Sequence, residues 1–391
     1  MSDIRDYVRW RGDLSFRSDP PNPADALVFA ALSYLRLEGL APKTPVGLPE
    51  LARKFLELKD CEDRLRSKTD PELLALAADS QRFGSCKAAC YEDIFLPEED
   101  TQFAAVTFLG EDGSVFMAFR GTDSTVVGWK EDFNMSFQQT VPSQRLAQDY
   151  VRRVSREFPG DLWLCGHSKG GNLAVFAAAR SAPWIQQRIR GVCNLDGPGF
   201  SQYLMGDPGY LRMVPKIHTF VPQSSVIGML MDHEEPYTII KSRQISILQH
   251  DIYNWEILGP GFLPMEEITA DSRFLNETIR NWAATLSNHQ RNLVVDAMFG
   301  LLEQVKVEDA SDILDMKNLY HYIRILSADE EMRAILGGEF AGLIEAAAKT
   351  FREIRSQKDP EKPSLPRPGL LDRFKKQEEK PGVLPRIPEK L

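Results

Sequence analysis

The chain has 391 residues, 43% of them apolar and 26% charged, and a formal net charge of −9. This is an ordinary globular composition, with room for one large domain or one domain and an added lobe. The acidic balance argues against a general nucleic-acid binder, which needs a basic surface, and no run is apolar for the length a bilayer requires.

The N-terminus, "MSDIRDYVRWRGDLSF", is charged from the third residue and carries neither an apolar h-region nor a small-residue cleavage site, so a secretory leader is not expected. Residues 22–39, "NPADALVFAALSYLRLEG", predict an amphipathic helix closed by glycine, and residues 50–80 read as helical and charged. Five cysteines (Cys61, Cys86, Cys90, Cys165 and Cys193) are odd in number and scattered, which suggests no disulfide framework and favours a reducing, cytoplasmic setting. Cys86 and Cys90 have the spacing of one helix face, but with no second pair they are expected to pack rather than hold a metal.

From about residue 103 the texture changes. "FAAVTFL" and "SVFMAFRG", joined by "GEDGS", predict a β-hairpin. Short apolar runs follow at 162–166, 191–197, 216–222 and 243–250, with helical stretches at about 143–158 and 169–181. Strands alternating with helices predict an α/β fold with a largely parallel sheet. After about 265 the pattern is helical to near residue 357, and the tail from Lys358 alternates proline with charge and is expected to be disordered. The predicted division is thus 1–99 as an N-terminal helical segment and possible cap, 100–264 as the α/β core, 265–357 as a helical lobe and 358–391 as the tail. The segment "RPGLLDRFKK" in that tail is a candidate docking site for a protein partner.

Chemistry enters at "LWLCGHSKGGNLAVFAAA", residues 162–179. Gly166-His167-Ser168-Lys169-Gly170 fits G-x-S-x-G, a weak motif alone. It gains meaning because a strand-like run precedes it and a helix follows, the setting of a nucleophile elbow. In that setting Ser168 is the nucleophile, and the Lys169 N–H at the helix start helps bind an oxyanion. The competing reading is a glycine-rich turn whose serine caps the helix.

A nucleophilic serine needs a base, and in this chain order the base follows the acid. His250 is favoured because it stands just beyond the strand-like "QISIL"; His233, in "MDHEE", is the runner-up. His218 falls inside "KIHTFV" and reads as a sheet histidine, while His289 and His321 fall in the helical lobe. For the acid, Asp196 ends "GVCNLD" and precedes the turn "GPG"; Asp232 is the alternative, and Asp251 adjoins His250 with a side chain expected to diverge from it.

The blocks "GHSKGG" and "MAFRGTDSTVVGWKEDFNMSF" (117–137) together resemble the class 3 lipases, in which a strand ends in F-R-G-[ST] and is followed by a tryptophan and an aspartate. The matching residues are Phe119, Arg120, Gly121, Thr122, Trp129 and Asp132. The resemblance covers roughly 100–255 and implies an α/β-hydrolase fold, with Thr122 at the oxyanion-hole position beside the Lys169 N–H. Over residues 1–350, blocks such as "YVRWRGDLSF", "NLDGPGF", "FVPQSSVIGML" and "QHDIYNW" are similar to a bacterial, Mbeg-like branch of the same superfamily. One departure stands out. The lipase aspartate would fall in "VPQSSVIGML", which has Ser224 and Ser225 and no carboxylate. Either Asp196 supplies the acid or the triad is a weakened Ser-His pair, with Ser225 available to orient the imidazole. Arg120 and Asp132 are a candidate supporting ion pair, and Trp129 is expected to pack.

The expected function is a serine hydrolase acting on an ester or related acyl bond of a small molecule or lipid. Ser168, His250 and Asp196 would be catalytic, Thr122 and Lys169 would form the oxyanion hole, and no metal or organic cofactor is required. The Lys169 side chain is expected to point to solvent, or else to favour an anionic substrate. The alternatives are an inactive hydrolase-fold scaffold and, third, a thioesterase or acyltransferase.

Overall fold

The computed structural model describes residues 2–269 apart from 41–43, 123–130, 132–134, 136–138, 226, 230, 232 and 245. Most of the expected helical lobe and the whole tail fall outside the described residues. So do Trp129, Asp132, Asp232, His289 and His321.

Eight strands form one sheet in chain order: β1 (Val46–Gly47), β2 (Lys87–Leu96), β3 (Thr101–Leu109), β4 (Val115–Phe119), β5 (Leu162–His167), β6 (Ile189–Leu195), β7 (Ile217–Pro222) and β8 (Tyr237–Ile240). β1 to β4 pair antiparallel, with the expected hairpin between β3 and β4. β4 to β8 are parallel, so the C-terminal ends of β5, β6 and β7 open on one edge. This is the mostly parallel, helix-flanked α/β sheet that the alternating pattern predicts.

The period-two alternation of β4 divides two cores. Phe116 and Ala118 face one, and Val115, Met117 and Phe119 face the other. Two crossover helices, Pro142–Glu157 and Lys169–Ala179, line the second face. The first face is covered by α1 (Ile4–Arg11), α2 (Pro23–Leu32), α3 (Leu48–Leu56) and α4 (Asp70–Asp79). α2 is buried from Ala24 to Leu32 on every side, as a helix that is apolar all round must be. Its Phe29 ring lies 4.5 Å from Phe116 and 4.8 Å from Phe108 between centroids. Asn22 caps α2, Pro23 fits the first turn, and the helix stops at Leu32, short of the predicted glycine.

Two elements differ from the sequence reading. Residues 87–96, assigned there to the N-terminal helical segment, form β2, and Cys90 lies on this strand at a bulge rather than on a helix face with Cys86. The run "RQISILQH" alternates like a strand but ends in a 3-10 turn, Ser246–His250. "YTII", which carries no strong signal, takes the sheet edge as β8 instead. The turn is held from outside: Trp255, fully buried, donates its indole N–H to the Gln249 carbonyl at 2.8 Å, and the Ser224 N–H donates to Gln249 Oε1 at 2.9 Å.

Candidate active site

Ser168 sits between β5 and the helix Lys169–Ala179 with φ 59° and ψ −132°, a backbone conformation that costs a side-chain-bearing residue about 1–3 kcal/mol. The neighbours enforce it. A Cβ on Gly166 would lie 2.2 Å from the Gly170 backbone, and one on Gly170 would lie 2.1 Å from the Phe119 carbonyl oxygen. The two glycines therefore let strand, turn and helix close on each other, and the Ser168 N–H is fixed to the Leu195 carbonyl at 2.9 Å. The Lys169 and Gly170 N–H groups precede the first bond of the helix, from the Gly171 N–H to the Ser168 carbonyl at 2.9 Å, and form a positive edge.

Gly121 follows β4 and passes directly beside the serine. A Cβ there would stand 2.2 Å from Tyr34 Oη, 2.5 Å from the His167 carbonyl and 3.1 Å from Ser168 Cβ. The F-R-G-T segment thus runs alongside the Ser168 turn, with the half-buried Thr122 next in the chain. Arg120 pairs with Asp93 at 2.6 Å.

His250 and Asp196 meet. The imidazole Nδ1–H donates to Asp196 Oδ2 at 2.7 Å, which leaves Nε2 as the free acceptor nitrogen. Asp196 is buried on the turn after β6, with φ 56° and its N–H bonded to the Phe220 carbonyl at 2.8 Å. Its other oxygen accepts from Ser225 Oγ at 2.5 Å and from the Gly228 N–H at 3.2 Å. Ser225 therefore orients the carboxylate. The turn itself is tied to the elbow helix, where Asn172 Nδ2 donates to the Pro198 and Gly199 carbonyls at 3.1 and 3.0 Å. Among the described residues, no hydrogen bond joins Ser168 Oγ to His250.

The other candidates are engaged elsewhere. His233 Nδ1 bonds Glu235 at 3.1 Å and its Nε2 bonds the Gly228 carbonyl at 2.9 Å, leaving neither nitrogen for a nucleophile. Asp251 closes its own turn by accepting from the Tyr253 N–H at 3.2 Å. His218 is exposed at the second position of β7, paired in register with Cys193.

Lys169 is the main correction. Its side chain is fully buried and points neither to solvent nor to a substrate. Nζ donates to Glu131 Oε2 at 3.0 Å, to the Gln102 carbonyl at 2.8 Å and to Gln102 Oε1 at 2.8 Å. An ammonium removed from water needs such a shell of acceptors, and Glu131 supplies the compensating charge.

Two further residues escaped the sequence reading. His167, the variable position of the motif, lies under His250 with ring centroids 4.4 Å apart. Its Nε2–H donates to the His250 carbonyl at 2.8 Å, so its Nδ1 accepts from Tyr34 Oη, also at 2.8 Å. Burial, with His250 and Arg66 nearby, holds the His167 pKa well below the usual histidine value, and the ring stays neutral. Tyr34 is 133 positions away along the chain, so no local pattern could have paired it with the motif.

A family model, Mbeg1-like, matches residues 77–300. The chain belongs to the Mbeg1-like family. The match takes in β2 to β8, Ser168, Asp196 and His250, while Tyr34 and helices α1 to α3 precede it. Among solved structures the chain is similar to one described as the crystal structure of M37 lipase, at 13% identity over 54% of this chain and 70% of that one, with a TM-score of 0.36. No curated protein matches it. Among the described residues, no helix is long and apolar enough to cross a membrane.

Proposed function

We propose that this member of the Mbeg1-like family is a serine hydrolase that cleaves an ester or related acyl bond of a small molecule or lipid. The observation that carries the reading is the 2.7 Å contact from His250 Nδ1 to the buried Asp196, beside a serine held in a strained elbow. Asp196 fixes the imidazole tautomer, so Nε2 is the nitrogen able to take a proton. Ser168 Oγ attacks the acyl carbonyl as His250 removes its proton. The Lys169 N–H and the backbone near Thr122 receive the developing oxyanion, and water releases the acyl group. The Ser168–His250 hydrogen bond closes in the substrate complex, as catalytic contacts commonly do. The five free cysteines fit a reducing compartment, and we assign the enzyme to the cytoplasm on that ground.

A fluorophosphonate probe is expected to label the protein at Ser168, and Ser168→Ala to abolish labelling. Asp196→Asn should lower kcat by roughly 10⁴-fold, the scale of losing tautomer control in a triad. Folded protein that resists labelling under conditions that label a known serine esterase would overturn the proposal in favour of a scaffold role.

A further inference from the structure

The lysine directly after the nucleophile is spent on a buried contact, and that contact joins three elements around the site. Glu131 is the hub. Its Oε2 accepts from Lys169 Nζ at 3.0 Å and from the Gln102 N–H of β3 at 3.1 Å, and its Oε1 accepts from the Ser143 N–H at 3.0 Å, in the first turn of the helix Pro142–Glu157. Lys169, Glu131, Gln102 and Ser143 are all buried. Among the described residues, Glu131 is the one charged group that contacts Lys169; the other two acceptors belong to the neutral Gln102.

The placement matters because the proposed oxyanion site has two halves on different elements. One is the Lys169 N–H, at the start of the helix that follows Ser168. The other is the backbone near Thr122, just after Arg120, whose N–H donates to the Ala104 carbonyl of β3 at 3.0 Å. The same lysine that offers its main-chain N–H to one half is bonded through its side chain to Gln102, on the β3 strand that holds the other, and to Glu131, which accepts the Gln102 N–H. We propose that the buried Lys169–Glu131 pair is a positioning device that sets the two halves of the oxyanion site against each other. This rests on the serine-hydrolase reading above. Neither residue touches the reacting atoms through its side chain.

The physical argument is one of rigidity. Donors of an oxyanion site act only if they are already aimed when charge develops, and a misplacement of about 1 Å can cost on the order of 100-fold in rate. A buried ion pair is a poor general source of stability, since apolar residues of similar size often do as well. What it supplies is a fixed direction and distance, because any departure strands a charge away from water.

The test compares wild-type protein with Glu131→Gln and with the double variant Lys169→Met/Glu131→Gln, using a 4-nitrophenyl ester and a fluorophosphonate probe. In the double variant neither charge of the pair is left buried, and the amide oxygen keeps one of the two backbone N–H groups that Glu131 accepts, so it is the variant better able to fold. It should lose about tenfold in kcat with KM changed less than twofold, and labelling should slow by the same factor. Glu131→Gln alone, which leaves the Lys169 ammonium buried without its counter-charge, should lose more kcat than the double variant, again with KM changed less than twofold. A folded double variant with wild-type kcat would overturn the inference. A wild type that neither labels nor hydrolyses would instead overturn the serine-hydrolase reading beneath it.

Discussion

Ser168 carries the sharpest conflict between stability and use. Its φ of 59° is favourable only for residues without a side chain, and the turn holds it there through Gly166, Gly170 and the Leu195 carbonyl. Ser168→Gly is therefore expected to raise stability by about 1 kcal/mol in urea unfolding while removing probe labelling; Ser168→Ala, which keeps a Cβ, should show no such gain. The sequence identified this residue because G-x-S-x-G encodes a steric requirement that is local to five positions. It also pointed to Asp196 from its strand end, and to His250 from an apparent strand, "QISIL", that the fold replaces with a 3-10 turn. It misjudged the neighbour, Lys169, because the side chain's destination depends on Glu131 and Gln102, which adjoin it only in the folded chain.

At the level of elements, the first helix shows how distant contacts reinforce a local signal. Asp3 caps α1 by accepting from the Arg5 and Asp6 N–H groups, which a reader of "SDIRD" can anticipate. It also accepts from the Arg243 guanidinium at 2.9 Å, 240 positions away, which no reader can. Burial alone would raise the Asp3 pKa, but the hydrogen bonds from Arg5 and Arg243 outweigh it and lower the group to about 2. A depressed carboxylate stabilises the fold above its unfolded pKa and loses that contribution as pH falls toward the folded value. Between about pH 4 and pH 2 the wild type should thus lose about 2 kcal/mol more than Asp3→Asn, read as the difference in urea-unfolding free energy. The same limit on local signals explains the segment before His250. Alternation in "RQISIL" satisfies a strand pattern, but β8 occupies the adjacent sheet edge and Trp255 and Ser224 secure the following residues as a turn.

For the whole molecule, the N-terminal helices are part of the sheet's core, and a buried ion pair anchors them. Asp25, in the first turn of α2, receives the Arg82 guanidinium at 2.7 and 2.6 Å and the Tyr7 hydroxyl at 2.8 Å. Both charged side chains are fully buried. Asp25→Ala would leave the buried Arg82 with the more distant Asp19 carboxylate, at 3.6 Å, in place of its close counter-charge, at an expected loss of about 3–5 kcal/mol in urea unfolding. Asp25→Ala/Arg82→Met should lose clearly less than the single variant, because removing both charges removes the stranded one. Equal losses would show that the pair itself, and not the orphaned cation, carries the effect.

The sequence by itself determined the α/β class, the hairpin and parallel run and the glycine-flanked turn at Ser168, and it pointed to Asp196 and His250 among open alternatives. Each of those is written in features short enough to lie within one element: a period of two or of 3.6, a glycine where a Cβ cannot fit, a carboxylate at a strand end. Only the tertiary structure decided that Ser225 binds the acid, that Tyr34 reaches His167 beneath His250, and that Lys169 turns inward to Glu131. The physical reason is common to all three. A buried polar side chain must find its partner wherever folding brings one within hydrogen-bonding distance, and that choice depends on which surfaces the sheet packs together rather than on spacing along the chain.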